Sequence, residues 1–225
     1  MGQALGNVLP LAVAIAIFPV PIIAVVLLLG PERAVAKGAA FALAWCVGLT
    51  AVGTATLLVG GAADGSEGGE PAGWLSLLVL ALGVSALAAA AKQFRGRPRA
   101  GEEPRTPGWM RTVGELTTLR AGGAGFALAA LNPKNVLLAV AAAAEIAAEG
   151  VPASQQAGVL LAFVLVASAG VLAPVALAVA LGERSRPLLD GIRAWMERNN
   201  AVVTAVLLLL IGAKLVGDAI SGFSS

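Results

Sequence analysis

Histidine and tyrosine are absent from this 225-residue chain, and cysteine occurs once, as Cys46. A single thiol excludes an internal disulfide, and without histidine a Cys/His metal site is excluded too. The lack of histidine also removes the Ser-His-Asp and Cys-His arrangements of hydrolytic enzymes. No nucleophile and base occur at catalytic spacing. The sequence therefore predicts a protein that is not an enzyme and that uses no metal and no cofactor.

Charge is also scarce. Charged residues make up 12% of the chain and hydrophobic residues 58%, whereas a soluble domain carries roughly 25% charged residues. Alanine, leucine and valine dominate runs of about 20 residues, the length at which a helix crosses the hydrocarbon core of a bilayer. The composition predicts an all-α integral membrane protein.

Six apolar segments are predicted to span the membrane. They cover about residues 5–29, 35–59, 74–91, 121–144, 156–181 and 201–220. Residues 92–120 are rich in Arg, Gly and Pro, which predicts a flexible linker between a first half at 1–91 and a second half at 121–225. Residues 183–199 are amphipathic and are predicted to lie along the membrane surface.

The cations in or next to the loops between these segments cluster after spans one, three and five, with Lys37 at the start of the second span. They are Arg33, Lys37, Lys92, Arg95, Arg97, Arg99, Arg105, Arg111, Arg120, Arg184, Arg186, Arg193 and Arg198. By the positive-inside rule, both termini are expected outside the plasma (inner) membrane and the linker 92–120 in the cytoplasm. Because attraction to anionic lipid accounts for these cations, nucleic acid is not an expected partner.

The fourth predicted span contains Asn132-Pro133-Lys134-Asn135 among apolar residues. An ionisable side chain at this depth is costly and usually functional. Asn132 followed by Pro133 is typical of a helix start, with the amide as N-cap and proline at the first helical position. The motif therefore predicts a broken span whose second half begins near the middle of the membrane.

The first predicted span carries Pro19 and Pro21 near its centre, and two prolines there break a helix. Because three spans precede it, the fourth span crosses the membrane in the direction opposite to the first. The sequence therefore predicts two inverted three-helix repeats. Interrupted spans at corresponding places in such repeats indicate the substrate site of a transporter. Kinks that serve only helix packing are the alternative.

Two half-helix starts facing the centre present N–H groups and positive dipole ends, and Lys134 adds a full charge. We therefore expect an anion to bind among Pro19, Pro21, Asn132, Pro133, Lys134 and Asn135. Local capping alone remains open for Asn132. Snorkelling is the alternative for Lys134, although about 14 residues of helix, roughly 20 Å, separate it from Arg120.

Lys214 and Asp218 lie four residues apart on one face of the sixth predicted span. They are interpreted either as a surface ion pair near the external end or as a coupling or gating pair. Trp45 lies in the middle of the second span, where it either packs or lines the cavity. Expected partners are membrane lipids and a small-molecule or lipid substrate, and a homo-oligomer remains open.

Six spans, a proline-broken first span, a basic central linker and the sequence Asn132-Pro133-Lys134-Asn135 together resemble the lysine exporter superfamily. The layout and the Asn-Pro-Lys-Asn form are most similar to its peptidoglycolipid-addressing, or sulfolipid-addressing, branch. The resemblance implies a secondary exporter and, for this branch, movement of complex lipids or glycolipid precursors toward the cell surface. It carries over to Asn132, Pro133 and Lys134, and more loosely to Pro19 and Pro21.

The leading hypothesis is export by alternating access of an anionic or amphiphilic substrate, a lipid, glycolipid or precursor of one. An amino-acid-like small solute is the alternative within the transporter class, although the first span lacks an acidic residue of the kind that amino-acid exporters carry. An accessory protein of a lipid export or assembly complex, docked through the basic linker, is the alternative from another class.

Overall fold

The computed structural model describes residues 2–30, 34–63, 73–96 and 109–224. The described residues form α-helices and one 3-10 turn, with no strand among them, so the all-α prediction is confirmed. In chain order the helices are α1 (Gly2–Ala16), α2 (Pro19–Leu28), α3 (Ala34–Ala63), α4 (Gly73–Arg95), α5 (Trp109–Gly114), α6 (Thr118–Ala130), α7 (Pro133–Ala148), α8 (Ala153–Ala167), α9 (Ala169–Leu181) and α10 (Arg186–Ser224). The 3-10 turn joins α9 to α10.

Two helical stretches in the described part of the chain, Val35–Val59 and Ala169–Ser221, are long and apolar enough to cross a membrane. Two bent pairs qualify as well if each counts as one span: α1 with α2, bent by 53°, and α6 with α7, bent by 58°. The structure thus contains two to four candidate spans, and the chain is a membrane protein. The six spans and the inverted repeats remain predictions.

The chain divides into two compact units. The first comprises Met1–Gly65 and Thr106–Met196. In it, α3 packs against α6 and α7, α1 packs against α7 and α8, and α2 packs against α9. Phe41 and Trp45 of α3 are fully buried, with ring centroids 6.3 Å apart.

Glycines bring α3 and α6 into backbone contact. Gly125 of α6 lies against the carbonyl oxygen of Phe41, and a Cβ on Gly48 of α3 would lie 2.8 Å from the Cβ of Ala129. Small residues of this kind are typical of membrane helix interfaces, where packing rather than water exclusion drives association. The part of α3 around Trp45 is therefore held close to the end of α6.

The second unit comprises Ser66–Arg105 and Glu197–Ser225. Here α4 and the C-terminal part of α10 pack through glycines on both helices. A Cβ on Gly83 would lie 2.9 Å from Val216 Cγ2, and one on Gly212 would lie 2.8 Å from Leu87. Residues 97–108, in the middle of the predicted linker, lie outside the described ranges.

The helices differ from the sequence prediction in two places. The predicted amphipathic stretch 183–199 and the predicted sixth span form one continuous helix, because α10 runs from Arg186 to Ser224. The fifth predicted span is interrupted at Ser168, between α8 and α9, while Pro174 lies inside α9. Pro174 therefore does not mark the position at which this span is interrupted.

Candidate functional site

The interruption between α1 and α2 lies at Phe18. Its backbone is extended (φ −69°, ψ 123°), it makes no side-chain capping bond, and Pro19 follows as the first residue of α2. The second half-helix of this segment thus begins at Pro19. Because Pro19 and Pro21 both lie in its first turn and have no N–H, this helix start offers fewer donors than the sequence analysis expected.

The interruption between α6 and α7 has the chemistry that the motif predicts. Asn132 is extended (φ −73°, ψ 117°), its side-chain oxygen accepts a hydrogen bond from the Lys134 N–H at 3.1 Å, and Pro133 is the first residue of α7. The predicted N-cap role of Asn132 is confirmed. A capping amide and a proline together fix where the second half-helix begins.

Asn135 ties the two halves of this broken segment together. Its side-chain Nδ2 donates to the carbonyl oxygen of Leu128, in the last turns of α6, at 2.7 Å. The residue is fully buried, and its Oδ1 has no hydrogen-bond partner among the described residues. The Nδ2 group of the amide therefore connects α7 to α6 across the interruption, and its Oδ1 is a buried acceptor without a hydrogen bond in the described structure.

The two interruptions meet through Lys134. Its Nζ lies 3.8 Å from the centroid of the Phe18 ring, so the motif of one broken segment contacts the break of the other. An ammonium over an aromatic face is attracted by the ring quadrupole. The Nζ is buried and has no hydrogen-bond partner among the described residues, so the amine does not reach the surface as snorkelling would require.

A third helix break adjoins the first. Gly170, at the start of α9, lies against the carbonyl oxygen of Ala16, the last residue of α1. Ser168 is fully buried and accepts a hydrogen bond from the Cys46 thiol at 3.3 Å. Gly170 therefore serves the close packing of α9 against the end of α1.

Trp45 was not among the site residues predicted from the sequence. Its indole is fully buried, and Nε1 has no hydrogen-bond partner in the described part of the chain. On α3 it shares a face with Phe41 and Gly48, the residues whose backbone meets α6. A tryptophan in an apolar run gives no sequence signal for an unpaired N–H, because that property depends on the neighbouring helices.

Three buried side-chain polar atoms lack partners within the described residues: Trp45 Nε1, Lys134 Nζ and Asn135 Oδ1. Leaving such a group unpaired costs about 1–3 kcal/mol, and more for a charge. Two of the atoms are donors, one of them cationic, and the third is an acceptor. The donors could each bind an anionic or carbonyl oxygen, and the acceptor could bind a hydroxyl or amine hydrogen.

Lys214 and Asp218 belong to α10 and to the second compact unit, whereas the residues around the two interruptions belong to the first. The Asp218 side chain lies outside the described part of the structure. Their pairing, and a coupling or gating role for them, remain predictions.

A comparison with known protein families adds independent information. The family described as "Sap, sulfolipid-1-addressing protein" matches residues 8–221, nearly the whole chain and both interrupted segments. No curated protein and no solved structure matches.

Proposed function

This chain belongs to the sulfolipid-1-addressing protein family, and on that premise we propose that it is a secondary exporter. Its substrate is an anionic amphiphile, a lipid or glycolipid or a precursor of one, which it moves outward across the plasma membrane by alternating access. The contact between Lys134 and Phe18 carries the proposal, because it joins two broken helices through a buried cation.

In this proposal the chain crosses the membrane six times as two inverted three-helix repeats. Both termini are external, and residues 92–120 are cytoplasmic. The matching bends of 53° and 58° in the two broken pairs support the inversion. Two interrupted helices that meet in this way are the arrangement expected where substrate binds between inverted repeats.

The anionic group of the substrate binds the Lys134 ammonium and accepts a hydrogen bond from the Trp45 indole. A donor on the headgroup, such as a hydroxyl, binds the Asn135 Oδ1. Each of these three atoms is buried without a hydrogen-bond partner among the described residues, so the substrate supplies the missing hydrogen bonds. The Asn132 cap and Pro133 position Lys134 and Asn135 by fixing the start of α7.

The test is movement of a fluorescent short-chain phosphatidic acid across proteoliposome membranes. Lys134→Gln is expected to slow transport about 10- to 100-fold, the loss expected for one charge-assisted hydrogen bond. Lys134→Arg retains the charge and is expected to lose less. Lys92→Gln, which removes an exposed lysine of α4, is the matched control and is expected to leave the rate unchanged.

Wild-type transport by Lys134→Gln would remove the buried cation from the mechanism. No transport by the purified wild-type protein, together with recovery on adding a membrane extract, would instead favour the accessory role. A labelled amino acid assayed in parallel separates lipid export from small-solute export.

A further inference from the structure

A cavity of about 600 Å³ lies between α3 and α7 in the first compact unit. It is lined by Ala55, Thr56 and Val59 of α3 and by small apolar side chains of α7 between Val140 and Ala148. We propose that this α3–α7 cavity holds an acyl chain of the amphiphile whose anionic head binds at Lys134. The inference rests on the proposed function and adds a second, apolar subsite to it.

The lining offers nothing to a polar occupant. Thr56 carries the only polar side chain among the lining residues, and its hydroxyl donates to the carbonyl oxygen of Val52, one turn earlier in α3, at 2.9 Å. An apolar cavity with no unsatisfied polar group does not hold ordered water. The occupant that this surface fits is hydrocarbon.

The small alanine side chains of α7 leave space along the cavity. Ala143 is fully buried, and Ala144 and Ala148 are exposed, so the cavity has a methyl floor and an open side. The lining residues of α7 extend over nine residues, about 12 Å of helix. A laterally open apolar space of this length fits a stretch of acyl chain.

The cavity and the polar site share their two helices. Val140 follows Lys134 by six residues on α7, about 9 Å along the helix axis. On α3, Trp45 precedes the first lining residue, Ala55, by ten residues. At 3.6 residues per turn, Val140 also lies about 120° around α7 from Lys134, so an acyl chain that starts from a head at the interruption reaches the cavity by passing partly around the helix.

A helix of a second copy is the competing occupant, since Ala144 and Ala148 are small residues four apart. The branched side chains of Val59 and Val140 also line the cavity, and Val59 is 70% exposed. Such side chains keep a second backbone away from the alanine floor, whereas a single hydrocarbon chain passes between them. The cavity favours the acyl chain on this ground.

The experiment uses the full chain in phosphatidylcholine nanodiscs with a trace of phosphatidic acid whose acyl chain carries a photoactivatable diazirine. After irradiation, cross-linked peptides are mapped by mass spectrometry. Labelling in the cavity is expected to exceed labelling at Leu43 and Val47, exposed residues of α3, by about tenfold. The reason is that one charge-assisted hydrogen bond to the head raises the occupancy of the cavity by about this factor. Diacylglycerol with the same labelled chain is expected to label both regions alike.

The double variant Ala144→Phe with Ala148→Phe fills the cavity from its open side and is expected to remove this excess. Ala176→Phe, an exposed alanine of α9, is the matched control and is expected to retain it. Even labelling of the cavity and of Leu43 and Val47 in the wild type would overturn the proposal. Cross-links from the cavity to a second copy of the chain would overturn it as well.

Binding of dibutyryl phosphatidic acid, whose chains are too short to fill the cavity, tests the head site separately. Lys134→Gln is expected to weaken it about tenfold, and the double phenylalanine variant to leave it unchanged, which also shows that this variant folds. Binding that depends on Lys134, combined with even labelling, leaves the proposed function standing and rejects only the chain subsite. Binding that ignores Lys134 rejects the head site and the inference built on it.

Discussion

Among single residues, the unusual feature is a set of three buried polar atoms that make no hydrogen bond within the described ranges. Lys134 and Asn135 could be predicted as site residues, because their types stand out in an apolar span. Trp45 could not be selected, since its unpaired N–H follows from the way α3 packs on α6. The contact between Lys134 and Phe18 could not be predicted from the sequence either, because the two residues are more than a hundred positions apart.

Trp45→Phe tests the role of the indole N–H. The substitution retains an aromatic ring and removes an unpaired buried donor, so the melting temperature is expected to change little. Affinity for phosphatidic acid is expected to fall about tenfold, the effect of one hydrogen bond to a charged group. Trp195→Phe, at a half-exposed position of α10, is the control. A large drop in melting temperature with unchanged affinity would show that the indole serves only packing.

Among the helices, the close contact between α3 and α6 depends on Gly125 and not on Gly123, two residues earlier in α6. Gly125 lies against the Phe41 carbonyl oxygen, whereas a Cβ on Gly123, in the same helix, would meet nothing within 4 Å. Gly125→Ala is therefore expected to destabilise the protein by about 1–3 kcal/mol through overpacking. Gly123→Ala is expected to be neutral or slightly stabilising. Unfolding in mixed micelles measures both, and equal effects would contradict the contact.

The helix ends show which interruptions can be predicted from local residue types and which cannot. Prolines at positions 19 and 133 and the Asn132 cap predicted two interruptions, and both are present. The break at Ser168 was missed because a single glycine such as Gly170 is tolerated inside a helix, and its contact with Ala16 arises only from tertiary packing. The uninterrupted α10 was also missed, because Asn199 and Asn200, a residue type common at helix ends, lie where polar residues give way to apolar ones, yet the helix continues through them.

For the whole molecule, the first prediction concerns orientation. With Cys46 replaced by alanine, single cysteines are introduced at Gly2, Thr106 and Ser224. A membrane-impermeant maleimide added to intact cells is expected to label positions 2 and 224, and to reach position 106 only after permeabilisation, because the positive-inside rule assigns the loops rich in Arg and Lys to the cytoplasm. Labelling of position 106 in intact cells would reverse the assigned orientation.

The second prediction concerns movement. The Asn7 side chain of α1 donates to Glu149, the residue that ends α7, at 3.2 Å, so this bond ties together the two broken segments. In the Cys46→Ala background, an oxidised Asn7→Cys and Glu149→Cys pair is expected to stop lipid transport, since alternating access requires these ends to separate. Reductant is expected to restore it, and each single cysteine serves as control. Full transport by the cross-linked protein would exclude separation of these ends.

The position of the Lys134 ammonium over the Phe18 ring has one further consequence. In the proposed exporter, the aromatic face takes the place of a counterion for the ammonium while no substrate is bound. An incoming headgroup would have to outcompete that face, which favours anionic lipids over uncharged ones.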